Sequence, residues 1–450
     1  MIKYFTFFIS ILLIGCNSKE NKKLTYFGGK IINPKDSFVL LFDHNDEIVD
    51  SIAIEKNHTF MGKLENIHSG LYYFKHGAEL QYVFLEPKDS LLIRLNTWDF
   101  DESLVFSGTN ADRNNLLVES FLSNEEEQRN FYKYYNLPAK EFKHKVDSLE
   151  QTKKDFIEEY KLNNTDYSEK FIDILNVALH YPLYTKIESF IIDNSLKDQP
   201  EQIDSSFVEH RNTASINNSQ LMFYTPYREY VYNHLYSDIY KKKIEDDSDE
   251  FTIALLNAIN EKIDSEKLKN KLLKETTIRH FYNKKSCSIN KKAFDTFISS
   301  STNEKDKEEI SLLVKDVKGI KKHKRIPNFS VTAPDGAIEN INSVIKHKNA
   351  VIYFRNKQYS SDSWVASRMN YLINNNPNIE FLVININNEK NQYIKELDIK
   401  HQYYLNSESN AHNFLSSKFP RMVLINKKGI VENGFCALSS KAIEKQITEL

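Results

Sequence analysis

The spacing of apolar residues changes character twice along the chain. In residues 24–109 apolar residues come in short runs closed by turn formers: Phe38-Val39-Leu40-Leu41-Phe42 precedes His44-Asn45-Asp46, and Pro87-Lys88-Asp89-Ser90 leads into an apolar run over 91–95. Runs of this length and spacing predict strands, and together a β-rich, sandwich-like domain or small barrel. Tyr72, Tyr73, Phe74 and Phe84 then read as core and edge packing rather than a ligand platform.

Over 110–319 the period becomes helical. Phe142, Val146, Leu149, Phe156 and Tyr160 fall near one face, and Ile253, Leu256, Ile259 and Ile263 repeat the pattern; both predict helices with one buried stripe. Tyr224, Tyr227, Tyr230, Tyr232, Tyr236 and Tyr240 crowd one stretch at mostly helical spacing. Helix packing accounts for them, and a phenol's flat ring and polar tip would also suit a carbohydrate or peptide surface. The basic run Lys318-Gly319-Ile320-Lys321-Lys322-His323-Lys324-Arg325 reads as a solvated connector, with anionic head groups as the alternative contact.

From Ile326 strand and helix alternate. A short helix is expected over 341–345, a continuous apolar strand at Ala350-Val351-Ile352-Tyr353-Phe354, a helix over 364–372, a strand over 381–386 and a helix over 391–397. A helix over 411–418 should end at Pro420, and Met422-Val423-Leu424-Ile425-Asn426 should pair with 430–434 across Lys427-Lys428-Gly429, before a last helix over 441–450. Apolar runs separated by helices predict a sheet covered on both faces. The expected fold class is multidomain α+β, with a β-rich domain at 24–109, a helical domain at 110–319 and an α/β domain at 320–450.

Four hundred and fifty residues leave room for two or three separate cores, and a formal net charge of -2 gives no electrostatic case for a nucleic-acid partner. The first residues are more specific. Lys3 precedes an apolar run over 4–14, far short of the ~20 residues that span a bilayer, so 1–16 reads as a secretion signal. It ends in Leu13-Ile14-Gly15-Cys16, which resembles the lipobox of bacterial lipoproteins. That resemblance implies cleavage before Cys16 and lipidation of its thiol and new amino group. Acyl chains at ~0.8 kcal/mol per buried CH₂ would hold the chain on the membrane without spanning it. Residues 17–23 read as a polar tether, and Asn17, which is not the aspartate of inner-membrane retention, favours the outer membrane, with the periplasmic face expected. Cys287 and Cys436 fit no metal or redox spacing and are expected as separate buried thiols, with a disulfide as the alternative.

Pro327-Asn328-Phe329, Pro334-Asp335-Gly336, the strand at 351–354 and Phe419-Pro420-Arg421-Met422-Val423-Leu424-Ile425-Asn426-Lys427-Lys428-Gly429 carry a family resemblance. Over roughly 320–450 the chain resembles the TlpA-like branch of the thioredoxin superfamily. With Phe106-Ser107-Gly108 and Asn114-Asn115-Leu116 upstream, it looks like envelope lipoproteins in which a domain of unknown function precedes such a module. The resemblance implies a thioredoxin-like C-terminal fold with a cis bond at Phe419-Pro420, opposite a helix start that normally carries two cysteines.

The chain departs from the family at that helix start. Aligning Phe354 on the family's strand-end aromatic puts Tyr359-Ser360-Ser361-Asp362 there, and a one-residue shift puts Ser360 and Ser363 at the thiol positions. Disulfide exchange needs a thiolate and a resolving thiol, and a hydroxyl replaces neither. Ser360, Ser361 and Asp362 are expected as helix N-caps, contributing about 1 kcal/mol. His347, His401 and His412 lie in no HExxH motif, and the chain carries no GxSxG. No catalytic residue, cofactor or metal is therefore expected. The expected function is a redox-inactive, membrane-anchored module that binds an envelope protein or peptide, with Phe419 and Pro420 offering backbone and Tyr359 and Asp362 lining the groove. Two alternatives stand beside it: a thiol-disulfide or peroxidase-related enzyme that recruits Cys436 or Cys287, and a structural or nutrient-uptake accessory working through the upstream zones.

Overall fold

The structure is a computed structural model that describes residues 24–246, 248–283, 291–387, 393–440 and 442–450. Cys16, its leader and tether, and Cys287 lie outside the described residues. Strands β1 (Leu24–Ile32), β2 (Phe38–Phe42), β3 (Ile48–Ala53), β4 (Thr59–Glu65), β5 (Gly70–His76), β6 (Glu79–Leu85), β7 (Ser90–Asn96) and β8 (Val105–Gly108) form two four-stranded sheets, ordered β4-β1-β7-β8 and β3-β2-β5-β6. Alternation sets their faces: along β7, Leu91, Ile93 and Leu95 are buried while Leu92 and Arg94 are exposed. Phe27, Phe60 and Leu91 of one sheet share a core with Val39, Phe74 and Val83 of the other. Gly108, at φ +100°, leaves β8 where a Cβ would lie 2.1 Å from the Ser90 carbonyl oxygen, so only glycine fits.

The next helix, α1 (Ala111–Phe131), explains the Asn114-Asn115 pair. Asn114 Oδ1 accepts from the Phe84 N–H at 2.7 Å and its Nδ2 donates to the Phe84 carbonyl at 2.9 Å. Asn115 does the same for Phe106, at 2.8 and 3.0 Å. Phe84 is on β6 and Phe106 on β8, the edge strands of the two sheets. Adjacent side-chain amides thus extend both ladders and cap both edges.

Helices α2 (Ala139–Asn163), α3 (Glu169–Leu196), α4 (Thr225–Tyr240), α5 (Asp249–Lys262), α6 (Glu266–Asn283), α7 (Lys291–Ser300) and α8 (Glu304–Gly319) follow. They do not form the single domain expected over 110–319. The described residues up to Tyr184, with Gln220–Glu229, make one compact unit, and Thr185–Ser219 with Tyr230–Leu450 make a second. The amide clamp commits α1 to the sheets, and the division inside α3 falls just after Pro182, which has no N–H for the helical ladder.

The second unit holds β9 (Ser330–Thr332), β10 (Ile338–Asn340), α9 (Ile341–Val344), β11 (Ala350–Arg355), α10 (Asp362–Asn375), β12 (Glu380–Asn385), β13 (His401–Tyr404), β14 (Arg421–Ile425), β15 (Val431–Cys436) and α11 (Ala442–Thr448). Its seven-stranded sheet is ordered β10-β9-β13-β12-β11-β14-β15, with β11 parallel to β12 and antiparallel to β14. Every residue of β11 is buried because both faces are covered. Val365, Met369, Ile443 and Ile447 pack on one face, and Phe329, Ile341, Phe414 and Ile320 on the other. This is the thioredoxin-like arrangement the resemblance implied.

Three expectations fail here. The helix over 391–397 is absent in its described part: Gln402 holds both the N–H and the carbonyl of Ile394 at 3.0 Å, which replaces helical pairing and leaves β13 as an unforeseen strand. The helix expected over 411–418 is only a 3-10 turn at Asn410–Asn413. The basic connector keeps its charges in water, but its backbone is paired: His323 N–H reaches the Val431 carbonyl at 2.8 Å, and Val431 N–H reaches that of Lys324 at 2.9 Å.

Asn114→Ala should lower unfolding stability by about 2–4 kcal/mol in a denaturant titration, because it orphans a buried N–H and carbonyl of β6. A loss below about 0.5 kcal/mol would show that the clamp is dispensable.

Candidate functional site

Strand β11 delivers Arg355 to the start of α10. Its guanidinium has no solvent exposure, pairs with the Asp362 carboxylate, and donates to Asn385 Oδ1 at 3.2 Å. Ser361 is the N-cap, its Oγ accepting from the Trp364 N–H at 3.3 Å, while Asp362 occupies the first turn. Ser360 is half-buried near Tyr353, whose phenol burial pushes above its ordinary range. A helix N-terminus that elsewhere steadies a thiolate here steadies a carboxylate already held by arginine.

The Tyr359 ring lies 5.6 Å from that of Phe419. The Phe419-Pro420 bond departs from expectation: no peptide bond among the described residues is cis, so the cis geometry expected at Pro420 is absent. The chain reverses instead at Lys418, whose φ is +56° and whose carbonyl accepts from Asn356 Nδ2 at 3.1 Å.

The cause is Asp316 of α8, a carboxylate with no exposure. Its Oδ1 accepts from Ser416 N–H and Oγ at 2.8 and 2.7 Å, and its Oδ2 from Ser417 N–H and Oγ at 2.9 and 2.5 Å. Those N–H groups are lost to the expected helix over 411–418. Arg421 Nη1 stands 3.9 Å from Asp316, and the Arg421 guanidinium donates to the Phe414 carbonyl and stacks on Phe435. On the next residue back, the Pro420 carbonyl accepts from the Tyr282 hydroxyl at 2.5 Å, so α6 of the same chain already holds that stretch of backbone. Phe419 itself is buried. The groove proposed from sequence is therefore closed at Phe419 and Pro420, and Asp362 is turned to Arg355.

The histidines do not converge: His401 Nδ1 meets Tyr403 Oη at 2.7 Å, His412 Nε2 meets the Asn406 carbonyl at 2.8 Å, and His347 sits in a turn at φ +60°. Cys436 is buried on β15, its thiol 3.9 Å from Gln446 Oε1. No metal-binding group of His, Cys, Asp or Glu occurs among the described residues.

Sequence reasoning missed Arg355, Asp316, Arg421 and Tyr282. Arg355 had a signal, being a charge that ends a wholly apolar strand, and so did Asp316, a carboxylate among the buried positions Leu313, Val314 and Val317. It also missed Glu188, which gathers Ser237 and His210. Ser237 Oγ donates to Glu188 Oε2 at 2.6 Å, His210 Nε2 lies 3.0 Å from Oε1, and Arg211 closes a fork at 2.7 and 2.6 Å. The residues are those of a nucleophile triad, but the serine points at the carboxylate and neither has any exposure. This is a structural ion cluster.

No family model matches the chain, and no curated protein does. Similar solved structures include a candidate thiol-disulfide oxidoreductase from Bacteroides vulgatus, at 18% identity over 28% of this chain and 95% of that one, TM-score 0.24. A pneumococcal exposed lipoprotein thioredoxin from Streptococcus pneumoniae matches at 18% over 28% and 100%, TM-score 0.20. A thioredoxin-like protein from Bacteroides caccae matches at 13% over 59% and 93%, TM-score 0.27. At such scores the likeness alone establishes neither fold nor activity; strand order and register carry the fold.

Two expected outcomes test these centres. Asp316→Ala should cost about 3–5 kcal/mol in denaturant unfolding, since it leaves the Ser416 and Ser417 donors and the Arg421 charge buried without their acceptor. Acid should weaken the fold in two stages. Burial holds His280 down at about 4, so the fold resists its protonation and stability falls as pH drops from the unfolded value near 6.5 towards 4. Burial pushes Glu188 up, but hydrogen bonds from His210 and Arg211 outweigh it and hold the carboxyl at about 2, so its contribution is full above pH 4.5 and lost as pH falls towards 2. Thermal melts across pH should show both stages, with Glu188→Gln removing the lower one.

Proposed function

We propose that the chain is a thiol-free, thioredoxin-like module of a bacterial envelope lipoprotein, held on the membrane through Cys16 and working by binding rather than electron transfer. The observation that carries the reading is the Arg355–Asp362 ion pair, which occupies the helix start where the resembled family keeps its cysteines. The chain has no cysteine at this helix start, and neither group of the ion pair accepts electrons. The lipid anchor rests on the lipobox resemblance, and no helix among the described residues is long and apolar enough to cross a membrane.

A polypeptide partner from the envelope suits the rim beside this pair, where Tyr359 and Trp364 stand about half exposed. Strand addition at Phe419 and Pro420 is not part of the reading, because α6 already holds that backbone.

Full-length protein should reduce insulin no faster than the buffer, with or without dithiothreitol recycling. Reduction that disappears in Cys436→Ser would overturn the reading and favour the oxidoreductase alternative. Cys16→Ala should move from the membrane pellet to the soluble fraction, and retention in the pellet would remove the lipid tether.

A further inference from the structure

The second unit encloses a cavity of about 320 Å³ among α4, α5, α6, β15 and α11, away from the Arg355–Asp362 pair and with no part in the function proposed above. That volume is at the lower end of small-molecule sites. Its apolar wall is a cluster of rings: Phe251 stands 5.7 Å from Tyr236 and 5.1 Å from Tyr240.

Its polar lining is rich in donors. Arg279 projects from α6 with its guanidinium over the rings of Tyr232 and Tyr236, at 5.6 and 5.3 Å, and donates to the Tyr236 hydroxyl. Among the described residues no carboxylate forms an ion pair with it, and the residue is exposed, so its charge is open to a ligand at the cavity's rim. His280 is 6% exposed; its Nδ1 meets Thr252 Oγ1 at 2.9 Å, while its Nε2 has no hydrogen-bond partner and stands 3.6 Å from Asp249 Oδ1. That nearby carboxylate favours the tautomer with hydrogen on Nε2. A buried ring nitrogen with no hydrogen bond is costly to leave so. Gln446 adds a side-chain amide whose oxygen accepts from Asn433 Nδ2 at 2.9 Å.

Aromatic walls with unneutralised donors call for an acceptor that carries negative charge on a flat apolar body. A second anionic group would meet Asp246, which lies at the lining with one oxygen 3.3 Å from Tyr240 Oη. We propose that this cavity binds a small aromatic monocarboxylic acid, its ring against Tyr236, Tyr240 and Phe251 and its carboxylate on Arg279. The Arg–carboxylate pair sets specificity by charge, since a neutral ligand of equal shape leaves the guanidinium unpaired.

Phenylacetate, 3-phenylpropionate and indole-3-acetate are the probes, each titrated into full-length protein by calorimetry, with phenylacetamide as the neutral match. At least one acid is expected to bind, with phenylacetamide about ten-fold or more weaker than phenylacetate. Arg279→Gln should weaken the acid by about ten-fold while leaving the amide unchanged, and Arg279→Lys should recover part of the loss. Equal binding of acid and amide, unchanged acid affinity in Arg279→Gln, or no binding of any acid at 10 mM (roughly the weakest affinity a site of this size could use) would overturn the proposal. Should Arg279→Gln fail to fold, the acid–amide comparison on the unaltered protein decides alone.

Discussion

A carboxylate without access to water must be given donors, and Asp316 takes its donors from the residues just ahead of β14. Ser416 and Ser417 each turn both a backbone N–H and a hydroxyl onto it, and Arg421 supplies charge from within the same core. Because those N–H groups leave any helical ladder, the segment reaches Pro420 as a turn, reversing at Lys418 with a left-handed backbone. The trans bond, the buried Phe419 and the Pro420 carbonyl facing Tyr282 all follow from where that segment is pinned. A buried ion pair is weak evidence for net stability, since desolvation offsets its Coulomb gain. What it supplies here is position: few arrangements satisfy Asp316 and Arg421 together.

The Arg355–Asp362 pair follows the same logic at the other side of β14. A cation at the end of a strand buried on both faces has to be neutralised, and the nearest available anion is the first turn of α10. In a redox member of the resembled fold this helix start must stay partly open, since a thiolate reacts only if reached. Here the same helix start carries a carboxylate held by a buried arginine, with Ser361 and Trp364 exposed beside it.

What could be read from sequence was what repeats locally. The boundaries of β11, β12, β14 and β15 came within a residue or two because runs buried on both faces have no alternative register. Ser361 was legible as a cap because the cap bond spans three residues. Asn114 and Asn115 stood out as a motif, but their pairing with Phe84 and Phe106 reaches across 30 and 9 residues and needs the sheets first. Asp316 binds partners about 100 residues away, and Gln402 replaces a helix by holding Ile394 with one amide. Neither leaves a periodic trace. The expected helices over 391–397 and 411–418 were reasonable by pattern and were overridden by side-chain contacts that outbid the backbone ladder.

The change of period near residue 320 suggested a domain border, yet the packing runs straight through it. Gly319 ends α8 so close to Phe414 that a Cβ would lie 2.5 Å from the Phe414 Cβ, and Ile320 is buried in the sheet's own core. Backbone of the basic connector then pairs with β15 at Val431. A fragment beginning at 320 would therefore lose Asp316 and Tyr282, leaving the Arg421 charge buried and the Pro420 carbonyl bare. Helix α6 bears on two places at once, covering Pro420 through Tyr282 and lining the aromatic cavity through Arg279 and His280. Helices α6 and α8 are thus part of the fold of the thioredoxin-like sheet.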